Sequence, residues 1–327
     1  MSDPPVWVLT DGKAGDEQPC IGVAEALGVS PETRRVRPKP PWSWLMPRGP
    51  IDPAEAPGRA GSPIAPPYPA LAIASGRRAI PYLRKLKDIS SSTFTLLLKD
   101  PRTGAASADL IWVPEYDALR GPNVITSLTT PHRISAGRLA ALRASPDPRL
   151  APLKSPRVAV LAGGDSRHVR FRAADIGRLV EGLRSLAEAG AALMITTSRR
   201  TPPALKEALV RVAAASGGFY WDGTGDNPYA AMLALADAIV VTADSANMVG
   251  EATATGAAVL LFELPGGYDK HLFLFDRLER YGALRRFTGR LETFTYPPLD
   301  STAFVADAVR RALAARGVAL GGAGPLG

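Results

Sequence analysis

The chain has 327 residues, of which 46% are hydrophobic and 21% are charged, a composition typical of globular proteins rather than fibrous or disordered ones. Its single cysteine, Cys20, excludes an intrachain disulfide and a zinc site built from cysteines, and it fits a reducing compartment. Lys and Arg outnumber Asp and Glu by 39 to 31, and the resulting charge of +8 suggests anionic partners such as phosphorylated small molecules, nucleic acid or acidic lipid.

The start of the chain lacks the pattern of a signal peptide, a basic segment followed by an apolar core. No apolar run approaches the roughly 20 residues that span a bilayer. We therefore expect a cytoplasmic protein that is either soluble or peripheral on the inner membrane.

The first element in chain order is a strand at residues 6–10, followed by a glycine-containing turn and a helix at residues 17–27. In α/β folds, a turn between the first strand and the first helix brings backbone amides to a ligand. This turn is neither a GxGxxG motif nor a P-loop, and Asp16 has the alternative role of capping the helix. The turn consists of Asp11, Gly12, Lys13, Ala14, Gly15 and Asp16.

A second strand is predicted at residues 33–37, and the Pro- and Gly-rich residues 38–69 after it are predicted to contain no regular element. Within this stretch stand Trp42, Trp44 and Leu45, with cations on both sides. Indole rings next to cations are typical of a membrane-surface contact or an acceptor-binding lip. The alternative is that the tryptophans fold back over the edge of the sheet. The flanking cations are Arg34, Arg35, Arg37, Lys39 and Arg48.

Four more strands and one helix are predicted in this half of the chain. The strands cover residues 70–74, 94–98, 110–113 and 124–126, and the helix covers residues 78–86. Basic residues follow several of these strands, at the edge where open parallel sheets bind ligands, and with Lys13 they would line a site suited to phosphate. They are Arg77, Arg78, Lys99, Arg102 and Arg133.

Residues 145–156 carry four prolines and no periodicity, a pattern that predicts an interdomain linker. A second α/β series begins directly after it. We therefore predict an N-terminal domain at residues 1–150, with 38–69 as an insertion, and a C-terminal domain at residues 151–327. The elements of the second series are strands at 158–161, 193–196, 219–221 and 238–241, and helices at 173–189, from 202, at 272–281 and at 302–315.

Residues 235–261 spell a strand, a polar loop, a helix and a second strand, which is a βαβ unit. Asp244 or Ser245 can cap this helix, whose free amides and dipole make its start a seat for an anion such as a diphosphate. Glu251 lies six residues beyond Ser245, roughly 9 Å along the axis, where a carboxylate could accept both hydroxyls of a ribose. The alternative is an ordinary capped helix with a solvated glutamate.

The motifs GGDS, TSRR, GDNPY and TADSANMVGEATATGAAV occur in the order that resembles the nucleotide-binding half of GT-B glycosyltransferases. Together with TDGKAGDEQ, PWSWL, ASGRR, LKDPR, IWVPEYD and GPNVITSLTTPHRIS, they make nearly the whole chain similar to the mitochondrial-fission "elongated mitochondria" family. This resemblance implies an α/β fold of two Rossmann-like domains facing a cleft, GT-B-like, with the last helix packing on the N-terminal domain.

The same resemblance implies roles for particular residues. Glu251 would accept the ribose hydroxyls, and Ser245 with the amides near Ala246 would hold the diphosphate. The other nucleotide-binding positions would be Gly163, Gly164, Asp165 and Ser166 at the phosphates, Thr197, Ser198 and Arg199 at the border of the nucleotide, Asn227, Pro228 and Tyr229 near the base, and Gly12, Lys13, Gly15 and Asp16 closing over the donor. The general base for an acceptor hydroxyl would be Asp16, with Asp11 as the next choice.

The resemblance therefore implies a glycosyltransferase that uses a nucleoside diphosphate sugar and no cofactor. We expect it to be independent of a metal ion, because an Asp-x-Asp motif is missing and the three histidines are scattered singly. A lipid-linked acceptor or an anionic membrane surface is a further expected partner. The alternative is a GT-B-shaped adaptor without turnover at a membrane. Nucleic acid ranks below phosphate-sugar recognition, because the paired arginines lack interleaved aromatic residues.

Overall fold

The computed structural model describes residues 5–267, 269–318 and 320. The chain divides into two compact units. The first unit comprises the described residues up to Arg133 and those from Asp300 onward, and the second comprises Ile134–Leu299. Strands and helices are numbered along the chain.

The first unit contains a parallel sheet of six strands in the order β2-β1-β3-β4-β5-β6. The strands are β1 (Val6–Thr10), β2 (Glu32–Arg35), β3 (Leu71–Ala74), β4 (Phe94–Leu97), β5 (Leu110–Pro114) and β6 (Val124–Ser127). The helices are α1 (Ala14–Ala26), α2 (Trp42–Leu45), α3 (Ile80–Ile89) and α10 (Ser301–Ala315), with 3-10 turns at Pro53–Glu55 and Ala105–Ser107.

Alternating residues of β1 supply the two cores of this unit, because successive side chains of a strand point to opposite faces of the sheet. Val6 and Val8 pack with residues of α1 and α10 on one face. Trp7 and Leu9 pack with residues of α3 on the other. The sheet is therefore covered on both sides, as parallel sheets generally are.

Helix α10 packs on the sheet of the first unit, which confirms the prediction for the last helix. Its buried residues Val305, Val309 and Leu313 join the core formed with α1. At its start, the Thr302 hydroxyl donates to the carbonyl of His132 and accepts from the amide of the same residue, both at 2.8 Å. The apolar face of the helix and this polar contact together fix it to the first unit.

The second unit contains another parallel sheet of six strands, in the order β12-β11-β10-β7-β8-β9. The strands are β7 (Arg157–Ala162), β8 (Ala192–Thr197), β9 (Phe219–Tyr220), β10 (Ala238–Thr242), β11 (Ala258–Phe262) and β12 (Leu284–Arg286). The helices are α4 (Ala136–Ala144), α5 (Ala173–Glu188), α6 (Pro203–Ala215), α7 (Tyr229–Leu235), α8 (Ala246–Thr253) and α9 (Asp269–Tyr281).

The core of the second unit lies between its sheet and the apolar faces of α5 and α6. Leu179 and Leu183 of α5 and Leu209 of α6 are fully buried against Val158 and Val240 of the sheet. Helix α7 packs on β7, and α8 packs on β10 and β11. Two Rossmann-like units, each with a parallel sheet and flanking helices, confirm the predicted GT-B-like α/β architecture.

The predicted linker at residues 145–156 lies inside the second unit. Leu150 is fully buried there, and the Arg149 guanidinium donates to the carbonyl of Asp226 at 3.0 Å. The division of the chain therefore falls at 133/134 and again at 299/300, in place of the expected boundary at 150/151.

The helices and strands of the described residues that were not predicted are α2, α4, α7 and β12. The prediction that residues 38–69 contain no regular element is also wrong, since Trp42–Leu45 form the one-turn helix α2. Both α2 and α7 directly follow a proline. Proline favours the start of a helix as well as a break in one, so its position in the sequence does not distinguish the two.

Candidate functional site

The chain reverses its direction of travel across the second sheet between β7 and β10, which are neighbours in the centre. From β7 the chain continues to β8 and β9 on one side, and from β10 it continues to β11 and β12 on the other. Ligands of open α/β sheets bind outside the carboxyl ends of the strands at such a switch point. The loops that follow β7 and β10 therefore form the candidate site of this unit.

Ser245 caps α8 at the end of the loop after β10. Its hydroxyl accepts a hydrogen bond from the amide of Met248 at 3.4 Å. The helix begins at Ala246, and the first amides of a helix have no partner within the helix. Of the two cap candidates the structure has Ser245, and the amide end of α8 lies at the carboxyl edge of the sheet.

Asp244, the other cap candidate, holds the loop after β7. Its carboxylate accepts from the amide of Gly164 at 2.9 Å and from the hydroxyl of Thr242 at 2.6 Å. Thr242 in turn accepts from the amide of Gly163 at 2.8 Å. Burial raises the pKa of Asp244, while these hydrogen bonds and the nearby Arg200 act in the opposite direction.

Both glycines of this loop are required by close approach. A Cβ on Gly163 would lie 2.1 Å from the Asp244 carboxylate oxygens, and one on Gly164 would lie 2.1 Å from the Arg200 carbonyl carbon. No side chain fits at either position without displacing a neighbouring loop.

The backbone amides of this loop are used by the protein itself. Gly163 and Gly164 donate as described above, the Asp165 amide donates to the carbonyl of Arg200 at 3.0 Å, and the Ser166 amide donates to the carbonyl of Val169 at 2.8 Å. The Asp165 carboxylate accepts from the amide of Phe171. These contacts shape the loop and leave the start of α8 as the better placed amide donor for an anion.

Arg200 connects the loops after β7, β8 and β10. Its guanidinium donates to the carbonyl of Asp165 at 3.0 Å and lies 3.5 Å from the carboxylate of Asp244, whose side chain is fully buried. The arginine predicted from the sequence was the neighbouring Arg199. Both arginines are exposed, but Arg200 is the one with these contacts. Ser198 accepts from the amide of Arg200, and Thr197 lies 3.2 Å from the hydroxyl of Tyr220.

Glu251 and Tyr229 meet through their side chains. The Tyr229 hydroxyl donates to Oε2 of Glu251 at 2.5 Å. Asn227 accepts from the amide of Tyr229 at 3.0 Å, and Pro228 precedes the first residue of α7, so this turn fixes the position of the ring. Burial raises the pKa of Glu251 to about 7, although the hydrogen bond from Tyr229 and the charge of Arg138 lower it. The alternative of a solvated glutamate is therefore wrong.

The turn after β1 in the first unit differs from its prediction in where the helix begins. Helix α1 begins at Ala14 with Lys13 as the preceding residue, so Gly15 and Asp16 lie within its first turn. Asp16 does not cap the helix. Its Oδ1 accepts from the hydroxyl of Ser75 at 3.1 Å and lies 3.2 Å from Nζ of Lys99.

Asp11 lies at the end of β1, where its side chain is almost fully buried and pairs with Nζ of Lys13 at 2.6 Å. Burial opposes its charge, but the ammonium group of Lys13 holds the pKa below the ordinary value. Gly12, between them, has a φ of +83°, a conformation that favours glycine.

Most of the basic residues predicted to line a phosphate site in the first unit have partners within it. Arg77 donates to the carbonyls of Met46 and Ser43, and Arg133 pairs with Glu25 at 2.5 Å. Lys13 and Lys99 pair with carboxylates, as described above. Three of these four cations are therefore paired with carboxylates of the same unit and Arg77 is held by backbone carbonyls, so the second unit provides the better candidate site.

The aromatic segment of α2 is divided between surface and interior. Trp44 is 73% exposed and Leu45 is 53% exposed, whereas Trp42 is partly buried and Met46 is buried in the core with α3. The alternative that the tryptophans cover the sheet edge is thus wrong for Trp44.

Among the residues that the structure describes, no group of three or more His, Cys, Asp or Glu side chains is arranged to hold a metal ion. Cys20 is fully buried in α1, and burial raises the pKa of its thiol. Within the same described part of the chain, none of the helices has the length and hydrophobicity needed to cross a bilayer.

Arg200 and the role of Asp244, which together connect three loops, were not predicted from the sequence. The motif TSRR offers two arginines, and only the tertiary structure distinguishes the one that turns toward Asp244. The role of Asp244 could have been inferred from the motif TADS. A carboxylate directly after a buried strand is costly to bury unless hydrogen-bond donors of neighbouring loops contact it.

A family model described as Mitochondrial fission ELM1 matches residues 14–313. The Mitochondrial fission protein ELM1 of Arabidopsis thaliana is 28% identical over 280 residues, which is 77% of this chain and 66% of the plant protein. An uncharacterised protein of Rickettsia prowazekii is 32% identical over 164 residues, which is 47% of this chain and 46% of that protein. The chain thus matches about two thirds of the length of the plant relative and about half that of the rickettsial one.

Solved structures similar to this one include UDP-GlcNAc 2-epimerases. The Methanocaldococcus jannaschii enzyme, crystallised with UDP-GlcNAc and UDP, has a TM-score of 0.53 at 11% identity, covering 95% of this chain and 99% of that one. The Rickettsia bellii enzyme has a TM-score of 0.52 at 9% identity, with 96% and 97% covered. At this identity the likeness establishes the fold alone.

Proposed function

Since the chain belongs to the Mitochondrial fission ELM1 family and shares the fold of an epimerase crystallised with UDP-GlcNAc, we propose that it binds a nucleoside diphosphate sugar on its second unit and transfers the sugar without a metal ion. The observation that carries the proposal is the partly buried carboxylate of Glu251. It lies on the helix that starts at the switch point of the sheet and accepts a hydrogen bond from Tyr229. A buried ionisable group with a strongly raised pKa is costly to keep, and such groups concentrate at functional sites.

The start of α8 would hold the diphosphate. The amides of the first turn, from Ala246 onward, point out of the helix toward the carboxyl edge of the sheet, and the helix dipole favours negative charge there. Ser245 orders this end by capping it. Arg200 lies in the neighbouring loop and adds positive charge beside the same edge.

Glu251 would accept the ribose hydroxyls. It lies six residues beyond Ser245, roughly 9 Å along the helix axis, which matches the separation of a ribose from the diphosphate. Tyr229, already hydrogen-bonded to Glu251, would lie beside the ribose and the base. Only the ionised carboxylate of Glu251 accepts hydrogen bonds from both ribose hydroxyls, so nucleotide binding should lower the pKa of Glu251 and release its proton.

Transfer would follow by direct displacement. An acceptor hydroxyl oxygen attacks the anomeric carbon, the bond from that carbon to the diphosphate oxygen breaks, and the nucleoside diphosphate leaves with the bonding pair. The hydroxyl proton passes to a carboxylate, for which we propose Asp16 and, failing that, Asp11.

The proposal is tested by thermal stabilisation with uridine, guanosine, adenosine, cytidine and thymidine diphosphates. A ligand at 100 times its dissociation constant adds about 2.7 kcal/mol to the native state, so one of the five should raise the melting temperature. Glu251→Ala should remove most of that shift, whereas Glu207→Ala, an exposed glutamate on α6, should keep it. Inorganic diphosphate should stabilise parent and variant alike. No shift with any of the five at millimolar concentration would overturn the proposal.

A second candidate function is a nucleotide-sugar-binding adaptor without turnover. It is favoured by the contacts of Asp16, since a carboxylate bonded to Ser75 and Lys99 within its own unit is typical of a structural residue rather than a free base. Release of nucleoside diphosphate from bound donor, with or without an added acceptor, separates the two functions. A donor that binds and survives prolonged incubation intact would favour the adaptor.

A further inference from the structure

Trp44 and Leu45 form an apolar pair on the surface of the first unit, which we call the α2 pair. Their exposed fractions are 73% and 53%. Two large adjacent apolar side chains that remain in water in a folded unit mark an interaction site more often than isolated ones do. The proposed nucleotide site of the second unit does not use them.

The backbone beneath the α2 pair is fixed. Met46, the next residue, is 3% exposed and lies in the core with α3. The Arg77 guanidinium donates to the carbonyl of Met46, directly after α2, at 2.7 Å and to that of Ser43, within α2, at 3.0 Å. The pair is therefore presented on an ordered support.

Cations stand on both sides of the α2 pair along the same segment. Arg37, Lys39 and Arg48 are all exposed. The amide of Lys39 donates to Asp52 at 2.9 Å, and that of Arg37 donates to Glu55, so the backbone of these cations is held as well.

The two carboxylates that make these bonds are themselves used inside the segment. Asp52 is 4% exposed and also accepts from the amide of Ala54, and Glu55 accepts from the hydroxyl of Tyr82. All charged residues at positions 37–48 are thus exposed cations, and they flank the apolar pair on both sides along the chain.

We propose that the α2 pair docks the protein on a bilayer that contains anionic lipids, with Trp44 and Leu45 inserted at the interface and Lys39, Arg48 and Arg37 against the headgroups. Indoles concentrate at the boundary between acyl chains and headgroups, and each basic residue near an anionic surface strengthens attachment. Together, apolar insertion and charge supply the two signals that stable peripheral binding needs. This inference rests on the first unit alone and is independent of nucleotide binding.

The test is cosedimentation with phosphatidylcholine vesicles that contain roughly a third phosphatidylglycerol, compared with phosphatidylcholine alone. The full chain should cosediment with the anionic vesicles and dissociate at high salt, because surface charges are screened within roughly 10 Å at 0.1 M. Replacing Trp44 and Leu45 together by Ala should weaken partitioning by roughly tenfold or more. Replacing Lys39 and Arg48 by Gln should weaken it by roughly fivefold for each cation.

The matched control is Phe304→Ala, which removes an aromatic side chain that is 43% exposed on α10 of the same unit. It should cosediment like the parent, and all variants should melt like the parent because the replaced side chains are exposed. Failure of the parent to bind anionic vesicles, or equal binding by the Trp44→Ala/Leu45→Ala variant, would overturn the proposal. So would a parent dimer in sedimentation velocity that the same variant dissociates, because the α2 pair would then belong to a contact with a second copy.

Discussion

The Tyr229 hydroxyl donates to Oε2 of Glu251 at 2.5 Å, across 22 positions of the sequence. The contact joins the first residue of α7 to the middle of α8, the helix that starts at the switch point of the sheet. Because burial raises the pKa of Glu251 to about 7, the carboxyl changes its charge close to neutral pH. The pair is therefore both the centre of the proposed nucleotide site and a source of pH-dependent stability.

Glu251→Gln is expected to stabilise the protein at alkaline pH. The pKa of Glu251 is raised from 4.5 to about 7 in the folded state. Its contribution to the free energy of unfolding is therefore fully present below pH 4.5, the unfolded-state pKa, and is lost as the pH rises through 7. Glutamine does not ionise, so the free energy of unfolding of the variant should exceed that of the parent by up to roughly 3 kcal/mol above pH 7 and match it near pH 4.5. Urea denaturation at the two pH values measures the difference.

Tyr229→Phe provides the internal check on that result. The tyrosine hydroxyl lowers the pKa of Glu251, so its removal should move the pH-dependent window of stability upward. A stability difference between Glu251→Gln and the parent that stays constant with pH would contradict the assignment of the raised pKa to Glu251.

The alternation of strands and helices could be predicted from the sequence because the central strands of both sheets are short apolar runs, such as β10, whereas the edge strands β2 and β12 are polar. The association of α10 with the first unit was predicted from family resemblance and follows physically from its apolar face. The short helices α4 and α7 were not predicted. For α7 the reason is that its apolar run leads into β10 without a clear break in the sequence.

The individual features of the candidate site were visible in the sequence, but their contacts were not. Asp244 and Ser245 were both predicted as possible caps from their position before a helical pattern, and the structure has Ser245 in that role. That Glu251 is partly buried and hydrogen-bonded to Tyr229 depends on how α7 packs, which no local pattern encodes. Arg200 and Arg199 are equivalent in sequence terms, and only packing brings Arg200 next to Asp244.

Gly164→Ala is expected to destabilise the second unit and disturb the candidate site. The added Cβ would lie 2.1 Å from the backbone of Arg200, so the loops after β7 and β8 must separate. We expect a loss of roughly 1 to 3 kcal/mol in chemical denaturation, together with weaker nucleotide protection.

Gly177→Ala is the matched control for this substitution. Gly177 lies within α5 with no neighbouring atom within 4 Å of an added Cβ. Alanine should therefore raise stability by roughly 0.5 to 1 kcal/mol, since it favours a helix interior. A destabilised Gly177→Ala or an unaffected Gly164→Ala would show that close approach does not explain the loop.

Asp16→Asn separates catalysis from structure in the first unit. If Asp16 is the general base, turnover of the donor should fall by roughly 10² to 10⁴ while nucleotide protection is retained. If it serves only the fold, the variant should lose on the order of 1 kcal/mol of stability and keep its activity. Lys99→Gln removes the same ion pair and leaves the carboxylate, so equal effects of both variants would exclude Asp16 as the base and direct attention to Asp11.

Asp109 is expected to secure the end of α10 in a pH-dependent way. Its side chain, 6% exposed, lies 2.9 Å from the guanidinium of Arg316 and 3.2 Å from Nζ of Lys87. The amide and hydroxyl of Thr95 donate to its other oxygen at 2.8 and 2.7 Å. Burial opposes the charge of Asp109, but Arg316 and Thr95 outweigh it, and the pKa is lowered from the ordinary 3.8.

Because the pKa of Asp109 is lower in the folded state than in the unfolded state, its carboxylate stabilises the fold at pH values above the unfolded-state pKa. This contribution is lost as the pH falls through the folded-state pKa. Asp109→Asn should therefore lower the free energy of unfolding by roughly 1 to 3 kcal/mol at pH 7, and the gap should narrow toward about pH 3. Arg280→Gln, which breaks the exposed pair of Arg280 and Asp276, should cost less than roughly 1 kcal/mol because water and salt screen that pair. If Asp109→Asn had the same free energy of unfolding as the parent at pH 7, the donors of Arg316, Lys87 and Thr95 would be satisfied by solvent. The attachment of α10 would then depend on its apolar face alone.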